Sequence, residues 1–279
     1  MLHVLAFALL SPPLPVGAAF EEVAVFKAPE AHQAVAVDAD HFYAIGNRVI
    51  AKYDKRTGER VARIEASEEL PLIHMNGGVV AGAELIVSHS NFPFTPMVGS
   101  VERFATGALP HDAPLTHLKS HSLGPTDGSL TSALPLLRDP YGVGGGKPAT
   151  VYTFAHYELP LIPGYETGTS RTRVEMRPQN TDEPTAYLLP EPVLRRLRPH
   201  SVSGASFDAR SRLWLSGHDV PELYRVAFPK AGSVMVLEAV HPAPIAGQGI
   251  AWDPSDPGVL WGTRRKEGLV IKMRLKETP

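Results

Sequence analysis

Cysteine is absent from the 279-residue sequence, so a disulfide framework and a thiolate metal site are both excluded. Beyond its first residues the chain also lacks any apolar run near the ~20 residues that a membrane-crossing helix needs, and no span is expected. Positive charge is not in excess: 27 Lys and Arg face 29 Asp and Glu, a formal net charge of −2. That balance argues against the basic face that nucleic acid or an anionic membrane would require, so neither partner is expected. Apolar spacing at the helical period is scarce as well. What the chain has instead is punctuation, with 24 Gly and 27 Pro dividing it into short runs. Short β-forming runs between frequent turns read as an all-β fold, and this length is ordinary for one such domain.

The first residues, MLHVLAFALLSPPLPVGAA, carry an apolar run over Val4–Leu10 and then Val16-Gly17-Ala18, small residues suited to signal-peptidase cleavage. A signal peptide over residues 1–19 is the expectation. It leaves residues 20–279 as a single domain located in a periplasm or secreted.

The body of the chain repeats one pattern. In His200–Val226 three short strands follow one another, Gly204–Phe207, Arg212–Ser216 and Leu223–Val226, with a turn of Asp, Arg and Ser between the first two. Gly247–Arg265 (GQGIAWDPSDPGVLWGTRR) and His32–Asn47 (HQAVAVDADHFYAIGN) repeat it, and further repeats open at His74 and Asp127. The first repeat fits four strands into roughly 35 residues, the size of one propeller blade. The last, Gln248–Leu275, holds only three strands, and Glu21–Lys27 from the other end of the chain is the strand that would complete it. The sequence therefore reads as a β-propeller of five four-stranded blades closed by the N-terminal strand. Six blades is the alternative, if the long third repeat holds two. That repeat carries two insertions, Arg138–Pro148 and Tyr157–Ser170. Gly144-Gly145-Gly146 in the first lacks the spacing and following helix of a phosphate loop, and the second is a candidate lid. Pro190–Pro199 is a connection with room for one helical turn.

Consecutive strands of a blade run antiparallel, so the start of each innermost strand and the end of each second strand reach the same face of the disc. The innermost strands open at Gln33, Asn76, Ser129, Ser203 and Gln248; the second strands close at Asn47, His89, His156, His218 and Arg264. These polar side chains are expected around one mouth of the channel, where His74 adds a further imidazole. Neutral imidazole suits a divalent metal, and a catalytic ion needs three protein ligands and an open position. His89, His156 and His218 are the candidate ligands, with Gln248 or His74 as the fourth and Asp219 beside His218 to orient it. Zinc, manganese and calcium are the ions considered, and no organic cofactor is expected. His74, Asn76 and Arg264 are the candidate catalytic residues; in a metal-free version a His is the general base and Arg264 stabilises an anion or enolate. Gln33, Asn47, Ser129, Ser203 and Arg198 are the candidate substrate-binding residues. Arg198 belongs to a basic connection, with Arg195, Arg196 and His200, suited to holding a carboxylate or phosphate. The alternative for any one of these histidines is that it satisfies backbone groups at a strand end. Glu102 and Glu222 are expected in structural pairs, and Trp214, Trp252 and Trp261 between packed strands.

Four segments carry a resemblance: HMNGGVV from His74, VSHSNFPFTPMVGSVERF from Val87, SGHDVPELYRV from Ser216 and GQGIAWDPSDPGVLWG from Gly247. Together they resemble a group of exported bacterial and fungal β-propeller proteins labelled cycloisomerase-like, distantly like muconate-lactonizing propellers. The rim of histidines with a glutamine is also similar to the metal site of propeller oligogalacturonate lyases, where three His and one Gln hold manganese. That resemblance implies His89, His156, His218 and Gln248 as ligands. The expected activity is a metal-assisted lyase or isomerase acting on a carboxylated or sugar-derived small molecule. A lactone-type hydrolase using the same site is one alternative, and a non-catalytic scaffold binding a peptide, glycan or protein is another. A monomer is expected.

Overall fold

An aspartate recurs where the first strand of a blade turns into the second. Asp38 accepts the backbone N–H groups of Asp40 and His41 and, through its other oxygen, the Tyr43 hydroxyl at 2.5 Å. Asp208 accepts from the N–H groups of Arg210 and Arg212 and from the Trp214 indole at 3.0 Å. Asp253 accepts from the Ser255 N–H and from the Trp261 indole at 2.9 Å. A single carboxylate thus closes each turn and fixes the bulkiest aromatic of the next strand beneath it. Trp214, Trp261 and Tyr43 are among the largest fully buried side chains.

The computed structural model describes residues 13–107, 115–137, 147–156, 172–179 and 183–276. Strand β1 (Phe20–Lys27) precedes the first blade, formed by β2 (Ala34–Val37), β3 (His41–Ile45), β4 (Val49–Asp54) and β5 (Arg60–Glu65). The second blade is β6 (His74–Ala81), β7 (Glu84–Ser90), β8 (Val98–Ala105) and β9 (Thr116–Pro125). The third is β10 (Ser129–Leu136), β11 (Ala149–Ala155), β12 (Arg173–Pro178) and β13 (Thr185–Leu188), followed by helix α1 (Glu191–Leu197). The fourth is β14 (Gly204–Phe207), β15 (Leu213–Ser216), β16 (Glu222–Ala227) and β17 (Val236–Pro242). In the fifth, β18 (Ala251–Trp252), β19 (Val259–Arg264) and β20 (Leu269–Leu275) are completed by β1. The chain ends are joined antiparallel, from Phe20 opposite Leu275 to Lys27 opposite Leu269. The long third repeat supplies one sheet, so the blades number five.

The innermost strands meet closely at the axis. A Cβ on Gly204 would strike the main chain of Gln248 and Gly249, and one on Gly249 would strike Ala34. The Gly249 N–H donates to the Gln33 carbonyl at 2.9 Å, tying the last blade to the first. Side chains too large for this ring would force the blades apart, so small residues line it and the polar strand starts converge.

Two expected structural pairs are present: Glu102 accepts from Ser100, Ser120 and His117, and Glu222 from Arg196 and Tyr224. The basic connection forms helix α1, which buries Val193, Leu194 and Leu197. Residues 13–19, the end of the expected signal peptide, run along β17. Gly17 donates to the Val240 carbonyl and Val240 to the Pro15 carbonyl, each at 2.8 Å, and His241 Nδ1 donates to the Ala18 carbonyl. Residues 1–12, the Gly144–Gly146 run and the candidate lid Tyr157–Ser170 lie outside the described residues.

Candidate functional site at the channel mouth

A cavity of about 770 Å³ opens at the mouth where the innermost strands begin. Gln33, Asn76, Ser203 and Gln248 line it at or just before the starts of the innermost strands, and Asn47 and His218 just past the ends of second strands. His74, at the start of β6, and His200, in the connection after α1, complete the imidazoles of the lining. No carboxylate lines the cavity among the described residues.

His218 is held by its neighbours. Its Nδ1 donates to Asp219 at 2.8 Å, which leaves Nε2 as the nitrogen with a free lone pair. Arg265 clamps the same carboxylate with two N–H groups at 3.0 and 2.9 Å. Burial pushes the Asp219 carboxyl up, but the hydrogen bonds from Arg265 and His218 outweigh it and hold it down to about 2. Burial, then the Arg265 and His200 charges, hold His218 down to about 4 against the pull of Asp219. The His200 ring stacks on His218 with centroids 4.1 Å apart. Burial, then the neighbouring His89 and His218, likewise hold His74 down to about 4, and its ring packs against Phe92 at 5.0 Å. At neutral pH these imidazoles are uncharged.

Gln248 combines two unfavourable features. Its backbone is in the left-handed region at φ +69°, although it is not glycine, and the residue is 2% exposed. The end of β15 holds it there: its N–H donates to the Gly217 carbonyl at 2.7 Å and its carbonyl accepts from the Ser216 hydroxyl at 2.5 Å. Its Nε2 is buried without a hydrogen-bond partner. Such strain costs about 1–3 kcal/mol, as does an unpaired buried amide, and both concentrate where a ligand binds.

The other candidates lie elsewhere. His89 Nε2 accepts the Ile73 N–H at 3.0 Å, so its proton is on Nδ1, which donates to Ser100 at 2.9 Å; Ser100 in turn donates to Glu102 at 2.6 Å. Both ring nitrogens thus work inside the blade, where they fix the backbone leading to His74. His156 is fully buried beneath the Asp127-Gly128 turn, with Nε2 3.3 Å from Asp127, and does not line the cavity. Ser129 is buried against Ser90 at 2.8 Å. The ladder shift between Leu130 and Ser132 brings Thr131 to the cavity instead. Arg264 reaches outward to Glu22 at 2.6 Å and to the Pro244 carbonyl at 3.0 Å, and its neighbour Arg265 is the one beside His218. Arg198 is exposed and outside the lining. Arg48 and the Phe92–Phe94 turn, which also line the mouth, were not anticipated. Arg48 follows Asn47 and is the next residue of the same hairpin, which is the signal that points to it.

The nitrogen and oxygen donors of His200, His218 and Asp219 lie within 4.8 Å of one another. Asp219 is committed to Arg265, so its part is to orient His218 rather than to bind an ion directly. The donors left for an ion are neutral imidazole and amide. That set fits zinc or manganese, whereas calcium takes oxygen ligands in numbers this lining does not offer.

No family model matches the sequence, and no curated protein matches it. Among solved structures the chain is similar to a luciferin-regenerating enzyme, with 9% identity over 94% of this chain and 96% of that chain and a TM-score of 0.51. It is also similar to the PQQ-bound aldose sugar dehydrogenase of Streptomyces coelicolor, with 8% identity over 95% of this chain and 100% of that one and a TM-score of 0.52. At these identities the likeness is one of fold alone.

Proposed function

We propose that the protein is an enzyme working at the mouth of its propeller, a lyase or isomerase for a carboxylated or sugar-derived small molecule. One observation carries this: uncharged His74 and His218 share a cavity with Gln248, whose strained backbone and unpaired amide folding alone does not explain. His200, His218 and Gln248 would hold a zinc- or manganese-type ion. When bound, such an ion polarises a carboxylate or carbonyl and acidifies the neighbouring C–H. Asp219 keeps the proton on Nδ1 of His218 and so turns the other nitrogen towards ligation. His74, neutral and backed by Phe92, is the base that takes the proton from carbon, and Asn76 and Gln33 orient the substrate by hydrogen bonds. The resemblance to cycloisomerase-like propellers supports the reading, because lactone formation and opening also turn on a proton beside a carboxylate. Export to a periplasm or beyond the cell belongs to the same proposal.

The test is a spectrophotometric screen of the purified protein against carboxylated sugars and lactones, following the new double bond of an elimination product or the acid released by ring opening. Turnover of at least one compound is expected, abolished by a chelator and restored by zinc or manganese. Turnover that ignores the chelator, or none across the panel, counts against the proposal.

A further inference from the structure

The geometry points to Arg48 as the residue that selects an anionic ligand at this mouth. The inference rests on the mouth being the working site and adds the charge its ligand must carry. Among the described residues Arg48 is the single charged group of the lining, since every other member is an amide, hydroxyl, uncharged imidazole or apolar side chain. Its guanidinium makes no hydrogen bond or ion pair among the described residues. The other arginines near this face are occupied. Arg264 holds Glu22, Arg265 holds Asp219, and Arg173 holds Asp127 at 3.1 Å and Glu175 at 2.8 Å.

The backbone that carries Arg48 is fixed even though the side chain is exposed. Gly46 donates to the Val49 carbonyl at 2.8 Å across the hairpin turn, and Ala66 donates to the Arg48 carbonyl at 2.7 Å. Beside it, Asn47 accepts from Gln33 at 2.7 Å, and its carbonyl accepts from Met75 at 3.0 Å. A guanidinium held at the rim of a concave, otherwise uncharged site focuses positive potential into it. Its planar fork matches two oxygens of a carboxylate or phosphate. The ligand class is therefore a small molecule with a hydrogen-bonding body for the amides and hydroxyls and one terminal oxyanion for Arg48.

The test is isothermal titration of chelator-treated, full-length protein with glucose, glucuronate and glucose 6-phosphate, which share a ring and differ in charge. At least one anionic probe is expected to bind ten-fold or more tightly than glucose, and whichever is preferred identifies carboxylate or phosphate as the anion. Arg48→Ala is expected to remove the preference and Arg48→Lys to keep part of it. Because the side chain has no partner to lose among the described residues, the melting temperature of Arg48→Ala should equal that of the wild type. Equal affinities, no binding of any probe, or a preference that survives in Arg48→Ala would overturn the inference. The readout needs neither turnover nor metal, so an inert protein can still pass it, and an active one that favours neutral ligands fails it.

Discussion

Replacing Trp261 by alanine is expected to destabilise the fold by about 3–5 kcal/mol, the range for removing a large aromatic from a packed core. Trp261 is fully buried in β19, stacked on Phe26 of β1 at 5.5 Å and on Phe42 of β3 at 5.4 Å. It therefore lies where the first blade, the last blade and the closing strand meet. Its truncation leaves a void that three elements border and also takes one hydrogen-bond donor from Asp253, a buried carboxylate that then relies on Lys55 and Ser255. Urea unfolding checks this, with a lower midpoint at unchanged slope. A loss below about 1 kcal/mol would mean that the ring closure is far more tolerant than this packing implies.

The second large effect falls on turnover. His74→Ala is expected to lower kcat by about 10²–10⁴-fold, the usual contribution of a positioned general base, with a much smaller change in KM. His89→Ala is the instructive companion. It removes the acceptor of the Ile73 N–H and the donor to the Ser100 hydroxyl, while Glu102 keeps His117, so stability and the placing of His74 suffer together. Steady-state kinetics beside melting temperatures separate the two. A His74→Ala enzyme with wild-type kcat would remove that residue from the chemistry.

Much of the fold was legible because its repeat is short and its signals local. The turn aspartates, the following aromatics and the three-strand ending of the last repeat all act within a few residues of themselves, and β1 completes the fifth blade as expected. Strand β13 escaped notice, since Thr185–Leu188 is short, mostly exposed and lacks an alternating pattern. The site was legible only in outline. The repeat shows which strand ends reach the mouth, but not which of two successive side chains faces the axis, because neighbours on a strand point to opposite sides. Gln33, Asn47, Asn76, Ser203, His218 and Gln248 fall on the cavity side. Ser129 gives way to Thr131 through a bulge, and Arg265 rather than Arg264 turns to His218. His156 shares the frame of His218, yet its ring is packed beneath Gly128. Repetition of backbone does not repeat the hydrogen-bond partners that decide where a ring points.

The central claim is that unprotonated donors gathered at one mouth, His218 and Gln248 foremost, form the working site, and elemental analysis of purified protein tests it most directly. The account predicts about one zinc or manganese per chain in the wild type and in His156→Ala, and none in a folded His218→Ala. A wild type that binds neither ion, or a His218→Ala variant that keeps its metal while His156→Ala loses it, would contradict the account.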